Sequence, residues 1–291
     1  MLILAGPKPV LAEFEIQESQ VEKGEVELEY RGAYHWGLPK AGRVGEAGVL
    51  DDETEGEVEA DEAGEEEEVP LRQSHDFEMQ MGITERWMFS TSFGTVVPEG
   101  GNWQAESVEL EVQYELIERE GNGLGLAFQA GYGWATQGET ANEVEFGPIV
   151  ELAAGKFLLT TNTFLTDQQG EFAEAEGLGF EYGWRAEFDF TKKWGIGVEM
   201  FGEIEDLANA GSFDDQEHSI GPTIFFKLGE ERDEEGDYAS EASSHTEDDD
   251  NDNGEVAGPP EMEFSMNVGV QFGLTDLTSD GALKFQAELV F

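Results

Sequence analysis

Cysteine is absent from the 291 residues, which removes disulfides, thiolate metal sites and cysteine nucleophiles and fits an exported bacterial protein. Basic residues are scarce: 15 Lys and Arg stand against 66 Asp and Glu, a formal charge of −51. So acidic a chain repels phosphate backbones, which excludes nucleic-acid binding as its main activity, and by net charge anionic lipid surfaces are poor partners too. No run approaches the roughly 20 apolar residues of a membrane helix, so helical spanning is excluded. The sequence also lacks a G-x-S-x-G elbow, a Walker loop, an H-E-x-x-H pair and a dinucleotide fingerprint. What it has instead is aromatic side chains, 20 Phe, 6 Trp and 6 Tyr, too many for a disordered chain.

Those aromatics recur at every second position. Val26, Leu28 and Tyr30 alternate with Glu27, Glu29 and Arg31, and Phe77, Met79 and Met81 alternate with Glu78 and Gln80. Val108, Leu110, Val112, Tyr114 and Leu116 interleave with Glu109, Glu111, Gln113 and Glu115. Later runs, from Phe180 to Phe190, Trp194 to Ile204 and Met262 to Leu274, repeat the pattern. Period two places all large apolar side chains on one face of a strand, whereas a helix would scatter them. About twelve such segments occur, each near the 9–11 residues of a tilted membrane strand.

The apolar face points inward in a soluble sandwich and outward in a membrane barrel. Three features favour the barrel. Tight connections at Thr84-Glu85-Arg86, Ala154-Gly155-Lys156 and Thr191-Lys192-Lys193 contrast with long ones at 37–70, 98–106, 167–176 and 205–217. Trp87 and Trp194 follow tight turns directly, where an interfacial aromatic girdle belongs. The chain ends on Phe291 within an amphipathic strand. The expected fold is an all-β, antiparallel, up-and-down transmembrane barrel of about twelve strands. Strand one would run outward from a periplasmic Glu13, the tight turns would face the periplasm, and parity would put the insert 229–261 there also.

The last strand, LKFQAELVF from Leu283 to Phe291, resembles the terminal strand of bacterial outer-membrane β-barrels. The segments Phe14–Gly37, Phe180–Met200 and Asn267–Thr275 resemble porin-like or transporter-like proteins of Gram-negative bacteria. The resemblance implies that Phe291 is an assembly signal read by the barrel-assembly machinery, and that the partners are outer-membrane lipid and small solutes or cations. The extreme acidity departs from an ordinary porin, so no solute is carried over.

Residues 1–12 read as the remnant of a signal peptide, with Val10 and Ala12 at an A-x-A-like site and 13–291 as one barrel. The acidic inserts 45–69 and 229–258 have the composition of solvated, disordered segments. Asp249, Asn251 and Asn253 match the first, third and fifth places of an EF-hand loop, but the twelfth is Pro260, so only loosely bound Ca²⁺ or Mg²⁺ is suggested and no cofactor is implied. Of four histidines, His218 beside Asp214, Asp215 and Glu217 could form an acid–base site at an extracellular rim, but the preferred reading is a polar strand end near the interface, and no catalytic residue is assigned.

The polar face of the strands defines the expected lumen. It carries Glu27, Glu29, Glu78, Glu109, Glu111, Glu145, Glu151, Glu181, Glu187, Glu199, Glu203, Glu263 and Glu288, with Arg31, Arg185, Lys227 and Lys284 as basic partners. A passage lined this way prefers cations and rejects anions. The expected function is a passive, cation-preferring outer-membrane channel, not an enzyme. The alternatives are a non-conducting surface or cation-binding barrel, and less readily a rim hydrolase or a soluble β-sandwich.

Overall fold

A computed structural model describes residues 14–39, 70–138, 140–173, 177–229 and 262–291. The readings on 1–12, on 45–69, on nearly all of 229–258 and on Asp249, Asn251 and Asn253 lie outside the described residues.

The strands are β1 (Val26–Trp36), β2 (Leu71–Gly82), β3 (Trp87–Pro98), β4 (Gln104–Ile117), β5 (Gly123–Ala135) and β6 (Asn142–Ala154). They continue as β7 (Phe157–Gln169), β8 (Gly179–Asp189), β9 (Trp194–Ile204), β10 (Glu217–Leu228), β11 (Glu263–Gly273) and β12 (Gly281–Val290). Each pairs antiparallel with its sequence neighbours, and β1 pairs with β12 from Glu27↔Val290 to Trp36↔Gly281. The sheet is thus a closed barrel of twelve strands in simple meander order. Closure gives every strand two partners, the condition for a sheet without exposed edges in lipid.

Apart from the acidic inserts, connections are mostly shorter at one end of the barrel than at the other. One end carries 83–86, 118–122, 155–156 and 190–193, together with the start of β1 and Phe291. The other end carries 99–103, 136–141, 170–178, 205–216 and 274–280. These are called the turn end and the loop end. Leu228 and Glu263, which flank the second acidic insert, both lie at the turn end.

Burial is inverted relative to a water-soluble protein. Among the described residues the covered side chains are mostly polar, including Glu78, Glu151, Glu199 and Arg185, whereas Phe77, Val112, Leu159, Ile196 and Ile224 stand in the open. The outward apolar belt covers the wall, far beyond the few hundred Å² that soluble monomers expose. The sandwich reading fails here, because the acidic face is the inside.

Candidate functional site: the lumen and the segment within it

Residues 14–25 lie inside the barrel. Phe14 stacks on His35 at 5.8 Å and meets Phe201 edge-on at 5.2 Å, both near the loop end of their strands. The segment then descends to the turn end, where Gly24, at φ +84°, reverses it into β1. There Gly24 N–H donates to the Gly82 carbonyl at 2.8 Å and Gly82 N–H to the Glu25 carbonyl at 3.0 Å. Position 82 requires glycine, since a Cβ there would lie 1.8 Å from the Glu22 carbonyl oxygen. The chain therefore enters strand one from within the lumen; Glu13, expected in the periplasm, lies outside the described residues.

An extended peptide leaves its own amides unsatisfied, and side chains of the wall supply the missing partners. Asn162 accepts from Gln17 N–H at 2.6 Å and donates to the Gln17 carbonyl at 3.0 Å, so one amide side chain imitates a neighbouring strand. Gln113 donates to the Glu18 carbonyl at 3.0 Å, and Ser19 Oγ to Glu151 at 2.5 Å. Charge adds to this. Arg185 meets Glu18 at 3.0 Å, and Arg119 donates to Gln20 at 3.0 Å. Arg31 holds four carboxylates, Glu15 and Glu29 at 2.7 Å and Asp76 and Glu78 at 2.8 Å. Only the first of these belongs to the segment, so Arg31 ties the segment to β1 and β2 at once.

The charged residues expected in the lumen do face it. Glu29, Arg31, Glu78, Glu109, Glu111, Glu145, Glu151, Arg185, Glu187, Glu199 and Lys284 are buried. Glu27, Glu181, Glu203 and Glu288 are partly covered, and Glu263 is exposed at the turn end. Their distribution is uneven. Lys284 pairs with Glu199 at 2.5 Å, and Lys227 with Glu187 at 3.0 Å. Across β4 to β6 the Glu109, Glu111 and Glu145 carboxyls are met by neutral donors and, between Glu111 and Glu145, by each other. Ser107 donates to Glu109 at 3.0 Å, and Ser90 and Gln129 to Glu111 at 2.5 and 2.7 Å. This arc of carboxyls leaves one side of the lumen acidic. At the turn end Glu27, Glu29 and Glu288 bring carboxylate oxygens within 4.8 Å of one another, with Glu29 already accepting from Arg31 and Gln286.

The chain matches no protein-family model and no curated protein sequence. Among solved structures it is similar to the COG4313 outer membrane channel from Pseudomonas putida F1, at 8% identity and a TM-score of 0.57, covering 96% of this chain and 100% of that one. The KdgM porin in complex with disordered oligogalacturonate and the NanC porin also match, both at 7% identity over 91% of this chain and 98% of theirs, with TM-scores of 0.45 and 0.44. The fold is that of an outer-membrane channel barrel.

Of the two readings of His218, the structure favours the polar strand end over the acid–base site. Adjacent strand residues face opposite sides, so His218 and Glu217 diverge. His218 lies under Phe213, with ring centroids 4.3 Å apart. Its Nε2 lies 2.9 Å from Gln216 Oε1, an acceptor, so the ring proton sits on Nε2 and Nδ1 accepts from the Tyr182 hydroxyl at 3.0 Å. Both ring nitrogens are thereby occupied. Asp215 instead accepts from Ser212 N–H and Oγ, contacts that hold its carboxyl below the ordinary range. The same arrangement recurs at His75, between Tyr30 and Gln73 and stacked on Trp103 at 4.3 Å. Two such copies are wall braces rather than catalytic groups.

Two inward features escape a reading by alternation. Phe201 lies under Lys284 Nζ at 5.2 Å, and Phe225 under the Arg185 guanidinium at 5.4 Å. Both belong to doublets, Met200-Phe201 and Phe225-Phe226, whose two members face opposite sides. Such doublets are the available signal for an aromatic turned inward.

Glu25, in the bend before β1, has its carboxyl pushed up to about 7, first by burial and then by Glu22, Glu263 and Glu18. A raised carboxyl stabilises the docked state fully below its ordinary range, and that contribution is lost as pH rises through about 7. The segment is therefore expected to dwell in the lumen longer at pH 5 than at pH 8. Single-channel closed times measure this, and Glu25→Gln should flatten the dependence. Closed times that are equal at both pH values in the parent protein would contradict it.

Proposed function

We propose that the protein is an outer-membrane channel for small solutes that prefers cations and whose passage is controlled by residues 14–25. The loop end faces the exterior and the turn end the periplasm. One observation carries the reading: the carboxyls of Glu109, Glu111 and Glu145 are met by Ser107, Ser90, Gln129 and one another, whereas Arg31 and Lys284 are tied into ion pairs with other acids. A low-dielectric wall around uncompensated acids attracts counter-ions and raises a barrier to anions. Held mainly through side-chain bonds, the segment can leave without breaking the barrel's strand ladders.

Planar-bilayer recording of the folded protein under a KCl gradient tests this. The reversal potential should have the cation sign, and the double change Glu109→Gln with Glu111→Gln should lower the cation-to-anion permeability ratio by about half or more. An anion-sign potential would overturn the assignment of the lumen. A second reading, a non-conducting barrel that binds cations, draws support from the occupied lumen. It predicts silence both from the parent protein and from a chain lacking the segment.

A further inference from the structure

Net charge argues against anionic lipid as a partner, yet the basic side chains are not evenly spread. At the turn end three hairpins place a basic residue directly before an aromatic one: Arg86-Trp87, Lys156-Phe157 and Lys193-Trp194. Two of these turns are built alike. Thr84 Oγ1 accepts from Arg86 N–H at 3.3 Å and Trp87 N–H at 3.0 Å, and Thr191 Oγ1 accepts from Lys193 N–H at 3.2 Å and Trp194 N–H at 2.9 Å. Each aromatic then packs on a ring of the next strand: Trp87 on Tyr114 at 4.7 Å, Phe157 on Phe188 at 4.7 Å and Trp194 on Phe226 at 4.8 Å.

The second and third stations merge. Phe157, Phe188, Trp194 and Phe226 stand on four successive strands, β7 to β10, at the level where the wall ends. Lys156 reaches across to the Phe190 carbonyl of the neighbouring hairpin at 3.2 Å. Lys156, Lys192 and Lys193 are all exposed just beyond this aromatic shelf. Two acids beside the strip, Glu187 and Asp189, are engaged by Lys227 at 3.0 and 3.6 Å. The β4–β5 turn differs, for its Arg119 turns to Gln20 and Glu151 at the lumen.

We infer that the β7–β10 strip at the turn end is a binding surface for anionic phospholipid of the periplasmic leaflet. Aromatic rings at the end of a lipid-facing wall sit at the headgroup boundary, with their edges near the glycerol ester level. An ammonium group one residue further out then meets the phosphate, and each lysine near an anionic surface adds attraction. Charge complementarity is local: the strip is cationic although the molecule is anionic.

Fluorescence quenching by brominated lipid provides the test. In a protein retaining only Trp194, with Trp36, Trp87, Trp103, Trp134 and Trp184 changed to Phe, brominated phosphatidylglycerol should bind about fivefold more strongly than brominated phosphatidylcholine. The triple change Lys156→Gln, Lys192→Gln and Lys193→Gln should bring that ratio close to one. A companion protein retaining only Trp36, at the loop end, should show no preference. Heat-dependent migration in detergent gels establishes folding in each case. Equal quenching by both lipids at Trp194, or a preference that survives the triple change, would overturn the inference. Should the single-tryptophan proteins not fold, native mass spectrometry of the otherwise unaltered chain decides. The parent should retain phosphatidylglycerol that the triple variant loses, and equal retention would overturn the inference.

Discussion

A chain whose processed form begins at Lys23 should conduct about threefold or more better than the parent. Barrels of eight strands are filled by their own side chains and those of sixteen strands leave a wide aqueous passage, so at twelve the contents of the lumen decide the bore. Residues 14–22 constitute such a filling. Their removal takes away Phe14, which covers His35 and Phe201, and Ile16 and Val21, which are buried inside the barrel. The strand ladders are left intact, because the segment attaches by Asn162, Gln113, Glu151, Arg185 and Arg31. Single-channel recording provides the measurement, with heat-dependent gel migration confirming closure of the barrel. Parent-like conductance from a folded, truncated chain would show that the segment does not limit passage.

Arg31→Met should destabilise the protein by about 3 kcal/mol or more, the scale for removing one partner of a buried ion pair. The guanidinium is 7% exposed and is the common partner of Glu15, Glu29, Asp76 and Glu78. Without it four carboxylates, on β1, β2 and the segment, face each other, and the loss should appear as a lower urea midpoint for the gel-shift transition. Asn162→Leu offers the contrast. It deletes two hydrogen bonds to one residue of the segment, each worth about 1 kcal/mol, and touches no strand pairing. Its barrel should unfold near the parental midpoint while the segment leaves the lumen more often. A parental midpoint for Arg31→Met would mean that the cluster is stabilised by water or ions instead.

Twelve strands, their meander order and the inward position of the acids were legible because period two is a property of each strand by itself. Val108 to Leu116 declares its two faces without reference to any other segment. The segment 14–25 was not legible, since its partners are single side chains at positions 31, 113, 162 and 185, each contributed by a different strand. Phe14 and Ile16 alternate with polar neighbours as in a strand, but no local pattern says that the partner is a ring of side chains rather than a sheet edge. The alternative at His218 fails for a related reason. Its acidic neighbours in sequence suggest a cluster, while pleating and the Ser212 cap carry Glu217 and Asp215 elsewhere. The EF-hand-like spacing at Asp249, Asn251 and Asn253 falls outside the described residues.

The residues that fill the barrel are continuous with the strand that closes it. Val26 N–H donates to the Phe291 carbonyl at 2.9 Å and Phe291 N–H to that of Val26 at 3.0 Å, so the first strand completes the ring against the last directly beside the bend at Gly24. A meander grows by adding hairpins, and the β1–β12 seam joins residues more than 240 positions apart, so it carries the largest loop-closure cost and forms late. At that moment the peptide preceding β1 must already lie on the concave side, or it must afterwards be drawn in through an open mouth. Capture before sealing spares the segment a passage through the mouth: assembly order sets where it starts, and its side-chain bonds set how long it stays.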